Sequence, residues 1–329
     1  MARAWHLTGR PDGLPDSDHL QLLPVALPEP GPGQVLVRNR WLSIDPYMRG
    51  RMRAGDSYVA AFELGAPLTG SAIGEVIESR SPLLRPGQLV KHQYGWRDEV
   101  VADDASFEPL ADGSLPETDY LSVLGATGMT AYFGLLDVAQ AKAGETLFVS
   151  AAAGGVGSTV VQIAKARSVR VIASAGGERK CEWLRQLGAD AVIDHGSPGS
   201  MIDKLRRAAP DGIDLYFDNV GGEHLDAALA VARDHARFAL CGMIAGYNDG
   251  SPLQLTQAMR AITARVTMQG FIVLDYLPRK FEFVREMGDM LRTGAVVGHY
   301  STSPGLESML DAFRGLFSGD NLGKALVRL

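Results

Sequence analysis

From Thr146 to Ser158 the chain reads Thr-Leu-Phe-Val-Ser-Ala-Ala-Ala-Gly-Gly-Val-Gly-Ser, and Thr159-Val-Val-Gln-Ile-Ala-Lys165 follows. A short apolar strand here meets a tight turn of small residues and then a helix with one apolar face. Such a junction leaves backbone N–H groups and a helix N-terminus bare, which is a site for a pyrophosphate. The spacing is Ala152-x-Gly154-x-x-Gly157, with alanine where the usual fingerprint opens with glycine. Glycine at 154 admits a diphosphate close to the backbone, and glycine at 157 lets the helix pack closely on the strand. Alone the pattern is weak, because Gly/Ala-rich turns also serve plain helix–sheet packing. The flanking strand and helix supply the missing context. A dinucleotide site is expected, with Ala153, Gly154, Gly155, Val156 and Gly157 at the phosphates.

The residues that follow repeat the same unit. Arg170–Ala175 reads as a second buried strand, and a helix from Glu178 to Leu187 ends at Gly188, suited to a left-handed cap. Further strands are expected at 189–194, 213–218, 236–241 and 266–273. Strands alternating with helices mean a doubly wound parallel sheet of two βαβαβ halves, a Rossmann domain.

The tip of the second strand bears on which dinucleotide binds. An NAD-preferring site usually carries Asp or Glu there, about 20 residues past the glycines, for the ribose 2′-hydroxyl. This chain has Ala175-Gly176-Gly177 and then Glu178-Arg179-Lys180. Small residues leave room for a 2′-phosphate, which Arg179 or Lys180 and the helix N-terminus can neutralise. NADP(H) is therefore expected. The alternatives are that Arg179 and Lys180 are merely solvated, and that Glu178 swings in to bind a ribose.

Whole-chain properties agree with a soluble enzyme. The chain has 329 residues, enough for two domains, and a formal net charge of −6 with both signs scattered, so nucleic acid is not expected as a partner. No apolar run approaches the roughly 20 residues of a membrane helix, and the first ten residues lack a signal-peptide core. Cys181 and Cys241 are too few for a disulfide framework. A cytoplasmic setting is expected.

Residues 1 to about 120 differ in kind, with short alternating apolar segments at 34–38 and 70–77 and turn signals at 28–33 and 85–87. That composition suggests a partly open antiparallel barrel. Lys324–Arg328 is a further strand candidate that cannot extend the parallel sheet without a long crossover, so it is expected to return to the first domain. The expected division is 1–123 plus 297–329 around an inserted 124–296.

At this point the chain resembles the medium-chain dehydrogenases/reductases, and within them the zinc-independent prostaglandin reductases and alkenal or enone double-bond reductases. The marks are Leu42-Ser-Ile-Asp-Pro-Tyr-Met-Arg-Gly50, Gly128-Met-Thr-Ala-Tyr-Phe-Gly-Leu-Leu136, Asp218-Asn-Val-Gly-Gly222, Cys241-Gly-Met-Ile-Ala-Gly-Tyr-Asn248 and Gly319-Asp-Asn-Leu-Gly-Lys324. The resemblance implies a GroES-like substrate domain, an NADPH-binding Rossmann domain, and a homodimer made by edge pairing through Met268–Val273.

Zinc is argued out by the residues. No cysteine precedes Cys181, and Gly70-Ser71-Ala72 stands where related alcohol dehydrogenases carry Gly-His-Glu. A catalytic zinc needs three protein ligands, and the histidines show no ligand-like spacing. No metal is expected.

The resemblance implies hydride delivery to the β-carbon of an α,β-unsaturated aldehyde or ketone, with Tyr247 as hydrogen-bond donor to the oxygen where enolate charge develops. A phenol with pKa near 10 stays protonated at neutral pH and suits that task; a half-buried packing tyrosine is the plain alternative. Tyr47 matches a position lining the substrate cleft, or simply closes a turn. Cofactor contacts implied are Met129 and Thr130 opening the domain-joining helix, Gly176, Lys180 at the 2′-phosphate, Asn219, Cys241, Gly242, Tyr247, Phe271, Val273, and Asn321, which equally suits a loop cap. Cys241 has no base beside it in sequence and reads as packing rather than as a nucleophile. His195 departs from the family's frequent tyrosine near the ribose phosphate, which leaves NADP preference open to pH. Two other functions stay open: a zinc-independent quinone reductase and a non-catalytic NADPH-binding protein.

Overall fold

The computed structural model describes residues 1–55, 57–111, 115–250 and 254–329. The chain divides into two compact units, one of residues 1–121, 300–320 and 325–329, the other of residues 122–299 and 321–324.

The first unit begins with a hairpin-like pair, β1 (Ala2–Leu7) and β2 (Leu20–Val25), joined antiparallel. The long strand β3 (Gln34–Ser43) follows, then the single turn α1 (Met48–Arg51), β4 (Ala72–Ser79), β5 (Leu89–His92), β6 (Glu99–Asp103) and β7 (Glu108–Pro109). Gly33 and Gly87 take φ of 77° and 84°, so the two turn signals seen in the sequence do need glycine. The second strand segment starts at Ala72 rather than Gly70, because the Gly70 amide is bonded to the Gln93 carbonyl instead of to a strand partner.

The second unit starts with α2 (Ala126–Phe133) and then builds β8 (Thr146–Val149), α3 (Gly155–Ala166), β9 (Arg170–Ala175), α4 (Glu178–Gln186), β10 (Ala191–Asp194), α5 (Met201–Ala208) and β11 (Ile213–Asp218). It continues through α6 (Gly222–Ala230), β12 (Ala232–Leu240), α7 (Met259–Thr263), β13 (Thr267–Gly270) and α8 (Lys280–Thr293). Among the described residues these strands form one parallel sheet in the order β10-β9-β8-β11-β12-β13. The order reverses between β8 and β11, the switch point at which such sheets bind ligands beyond their carboxyl ends. One face packs Phe148, Ile172, Leu205, Tyr216 and Phe238 into a core. The expected alternation is present, with three strand bounds moved. β12 begins at Ala232, because Ala232 pairs with Ile213 before a register shift, and His235 takes φ 65°. β10 begins at Ala191, after the Asp190 amide bonds the Val171 carbonyl, and β13 stops at Gly270. Gly188 takes φ 93° after α4, the left-handed position expected of it.

The chain then returns to the first unit as β14 (Tyr300–Pro304), α9 (Met309–Ser318) and β15 (Lys324–Arg328). β15 pairs antiparallel with β3 at Leu326↔Ser43, giving the order β14-β15-β3-β4-β5-β7. β3 also pairs with β6 through residues 34–38, so one edge of this long strand serves two partners, a corner of the kind a barrel needs. The core of the unit gathers Leu7, Leu42, Met48, Trp96 and Phe313, with Trp96 edge-on to Trp5 and to Phe313. The fold class is therefore the one the sequence implied, a Rossmann sheet inserted in an antiparallel β domain.

Candidate functional site

The glycine turn sits between β8 and α3. Gly154 caps α3 with an extended backbone and no side-chain hydrogen bond, so the first amides of the helix remain for a ligand. α3 starts at Gly155, four residues before the apolar run that signalled it, because the small residues of the turn already take helical geometry. A Cβ on Gly157 would stand 2.7 Å from the Ala152 Cα and closer still to the Ala151 carbonyl. Ala151 itself has φ 45°, rare for a residue with a side chain. At Gly154 a Cβ would meet only the Ala151 carbonyl oxygen, at 3.3 Å. One glycine is thus fixed by packing and the other leaves the backbone open. The Gly323 amide bonds the Ala153 carbonyl at 2.8 Å, which brings the 321–324 segment beside the turn. Asn321 donates through Nδ2 to the Gly323 carbonyl at 2.7 Å, a local cap.

At the tip of β9, Gly176 lies under the ring of His195: a Cβ there would be 3.0 Å from Nε2. Lys180 is half-buried in the first turn of α4, and Arg179 and His195 are exposed. The Glu178 carboxylate pairs with Arg185 at 2.9 Å. The carboxylate present at this tip is Asp194, whose Oδ1 accepts from the Gly177 amide at 3.0 Å and the Gly196 amide at 2.9 Å. Those bonds hold its pKa below the usual carboxylate range. Behind it, buried His224 meets the Ser174 hydroxyl through Nε2 at 3.0 Å, and burial pushes its pKa down to about 4.

On the other side of the switch point an open cavity of about 440 Å³ is lined by Leu240–Met243, Gly270–Ile272 and Asp275. Cys241, Gly242 and Phe271 therefore share one wall system, whereas Val273, at the start of the next helical turn, is not among its lining residues. Tyr247 follows a short turn after β12, and its phenolic oxygen would lie 3.0 Å from a Cβ on Gly242. Burial, foremost, raises its pKa, against a hydrogen bond with the Met243 backbone. Burial, aided by Asp218, pushes the Cys241 thiol up to about 12, so it stays protonated at neutral pH. Met129 and Thr130 lie in the middle of α2 rather than at its opening, since the helix starts at Ala126. Met129 is buried and its amide bonds the Gly125 carbonyl, while the Thr130 hydroxyl bonds the Ala126 carbonyl.

Tyr47 belongs to the first unit, immediately before α1, where burial raises its pKa and Arg51 hydrogen-bonds it. The segments 52–68 and 245–258 include Asp56 and residues 251–253, which lie outside the described residues.

Sequence reasoning missed a buried network at the switch point. Asp218, fully buried at the end of β11, accepts through Oδ1 from the Tyr216 hydroxyl at 2.6 Å, the Ser150 hydroxyl at 3.2 Å, and the Val220 and Gly221 amides at 2.9 and 2.8 Å. Its carbonyl accepts from the Cys241 and Gly242 amides. Asn219 donates through Nδ2 to the Ser150 carbonyl at 2.8 Å and through its amide to the Ser150 hydroxyl at 2.9 Å. The signal available was Ser150 and Asp218 ending two strands that the topology makes neighbours.

Family models match residues 3–110, described as an N-terminal domain of oxidoreductase, and 155–291, described as zinc-binding dehydrogenase. The NADPH-dependent curcumin reductase of Escherichia coli is 38% identical, with 99% of this chain and 96% of that protein covered. The chain belongs to the medium-chain dehydrogenase/reductase family. In the same family stand the tobacco (Nicotiana tabacum) 2-alkenal reductase (NADP(+)-dependent), 38% identical over 96% of this chain and 94% of that one, and CurA from Vibrio vulnificus, solved in complex with NADPH. CurA matches with a TM-score of 0.92 and 38% identity over 99% of this chain and 98% of that one. This member lacks the donors that one family description implies. No group of three His, Cys, Asp or Glu side chains suited to a metal occurs among the described residues, and the first unit contains no cysteine. The residues do not fit a catalytic zinc. They do fit a dinucleotide. The amides of α3 carry no side-chain cap, and Gly154, Gly176 and Gly242 put no side chain at the carboxyl ends of β8, β9 and β12.

Proposed function

We propose that this protein is an NADPH-dependent reductase of the carbon–carbon double bond of α,β-unsaturated aldehydes and ketones. The reading rests on family membership along the whole chain, in which relatives reduce curcumin and 2-alkenals with NADP(H). The observation that carries the mechanism is the Tyr247 phenol, held protonated by burial beside Gly242 on the cavity wall. When bound, the reduced nicotinamide supplies the hydride that adds to the β-carbon.

The chain's own groups do the rest. The first-turn amides of α3, with Ala153 to Gly157, hold the diphosphate, and Lys180 with His195 above Gly176 meets the 2′-phosphate. Cys241, Gly242, Phe271, Val273, Asn219 and Asn321 flank the nicotinamide half, with Met129 and Thr130 on α2. As the β-carbon gains its new bond, charge builds on the carbonyl oxygen, and Tyr247 donates a hydrogen bond there. A proton taken up at the α-carbon completes the reduction. Tyr47, fixed by Arg51, serves the substrate.

β13 is the edge strand of its sheet and all four of its residues are exposed, with exposed Met268, Leu274, Leu277 and Phe281 on and after it. Unpaired edges seek partners, so the reading includes a homodimer through β13. No described helix is long and apolar enough to cross a membrane. The free thiols of Cys181 and Cys241 support a reducing, cytoplasmic setting.

The test is NADPH consumption against graded enals, enones and quinones, with Tyr247→Phe beside the parent chain. Loss of one such donor lowers turnover of the best enone about a hundredfold with NADPH affinity unchanged. Unchanged turnover removes Tyr247 from the mechanism, and a protein faster on quinones than on enones overturns the substrate class.

A further inference from the structure

We propose that Asp218 is an electrostatic bias on the bound coenzyme, favouring its oxidised form and so driving hydride away from the reduced ring. The inference rests on the coenzyme reading above and concerns a residue that touches neither substrate nor ring.

The geometry has three parts. First, Asp218 ends β11 and one of its partners, Ser150, follows β8, so the carboxylate stands at the point where strand order reverses. Second, its main-chain carbonyl receives the amides of Cys241 and Gly242, both of which line the cavity. Third, its charge is solvated but not cancelled. Oδ1 takes four hydrogen bonds, all from neutral donors, while Oδ2 has no partner among the described residues. Burial, foremost, raises its pKa against these hydrogen bonds, and none of the groups with the largest effect on it is a cation. Neutral dipoles stabilise a carboxylate without ending its field, and a buried field is weakly screened. An oxidised nicotinamide carries a positive charge that the reduced ring lacks, so a nearby buried anion stabilises one form over the other.

The titratable groups that face Asp218 are Tyr216 on its own strand, Cys241 after β12 and Tyr247 beyond it, and all three are pushed up and stay neutral below pH 8. Asp275 also lines the cavity. Groups at the 2′-phosphate, His195 among them, act alike on both redox forms and cancel from a ratio.

The experiment measures the dissociation constants of NADP+ and NADPH by calorimetry on the full chain, from pH 8 to pH 5. In Asp218→Asn the ratio of NADP+ to NADPH constants rises about tenfold at pH 7.5. In the parent chain the same rise comes on acidification. In Tyr216→Phe, which removes one donor to Oδ1, that rise begins at higher pH, a shift that a purely structural role does not produce. A folded Asp218→Asn protein that binds both coenzymes with an unchanged ratio overturns the proposal. Should that variant not fold, coincident curves for Tyr216→Phe and the parent chain overturn it. A parent chain that retains neither coenzyme instead overturns the coenzyme reading, and this inference with it.

Discussion

On the β9–β10 side of the switch point the groups proposed to meet the coenzyme stand at the surface: Lys180 half-buried, His195 and Arg179 exposed, Asp194 tied to loop amides. On the β11–β12 side the polar groups are withdrawn. Asp218 has no exposed surface, the Cys241 thiol is pushed up to about 12, and the Tyr247 phenol is raised by burial. One crevice thus uses two kinds of electrostatics. On the proposed reading, surface charge grips a phosphate and is weakened by salt, whereas buried dipoles and a buried anion act on the chemistry and are screened little. Gripping tolerates water; steering a hydride does not.

The comparison breaks most completely at Gly157, which both halves share. Gly157→Val forces a side chain into the Ala151–Ala152 backbone, and destabilises the fold by about 3 kcal/mol or more. Thermal unfolding then shows a large drop, and binding of every dinucleotide is lost. Next is Lys180→Ala, which weakens NADPH by about 10- to 100-fold while leaving NADH alone. That penalty shrinks between 50 and 500 mM salt, whereas the penalty of Tyr247→Phe on turnover does not. Equal salt sensitivity would erase the distinction drawn above.

A third test concerns His224, buried against Ser174 of β9 with a pKa lowered to about 4. Its folded value lies below the unfolded value near 6.5. As pH falls from 6.5 toward 4 the unfolded chain takes up a proton that the folded chain refuses. Stability is fully present above 6.5 and declines below it, by about 1.4 kcal/mol per pH unit from this group. Urea unfolding of His224→Gln at pH 6.5 and pH 5 shows a loss smaller than the parent's by about 1–2 kcal/mol. The smallest effect is expected at Cys241→Ser, where a neutral thiol plays no chemical part and turnover changes by less than about twofold.

Much of this was legible in the chain. The glycine turn, the alternation of strands and helices, and the return of Lys324–Arg328 to the first unit are local patterns whose geometry admits few alternatives. Strand ends were less legible, because the bulge at His235 and the Asp190–Val171 bond depend on neighbours that a single strand does not reveal. Arg51 as partner of Tyr47 lay within one turn of it and was overlooked. Asp218 was seen only as part of an Asp-Asn-Val-Gly-Gly turn, since its burial appears only once Ser150 and Tyr216 converge. The residue pairs that the sheet creates are its least readable product.

β15 lies inside its sheet, between β14 and β3, rather than at an edge. Its residues from Lys324 to Val327 are buried. During synthesis the 41–43 end of β3, beyond its pairing with β6, must therefore wait uncovered on that flank until β15 has emerged. The inserted parallel sheet has no such debt, since each of its strands finds a neighbour within its own stretch. The parallel sheet can thus take shape while β3 still lacks β15, which makes the unit that holds β3 the later of the two to mature.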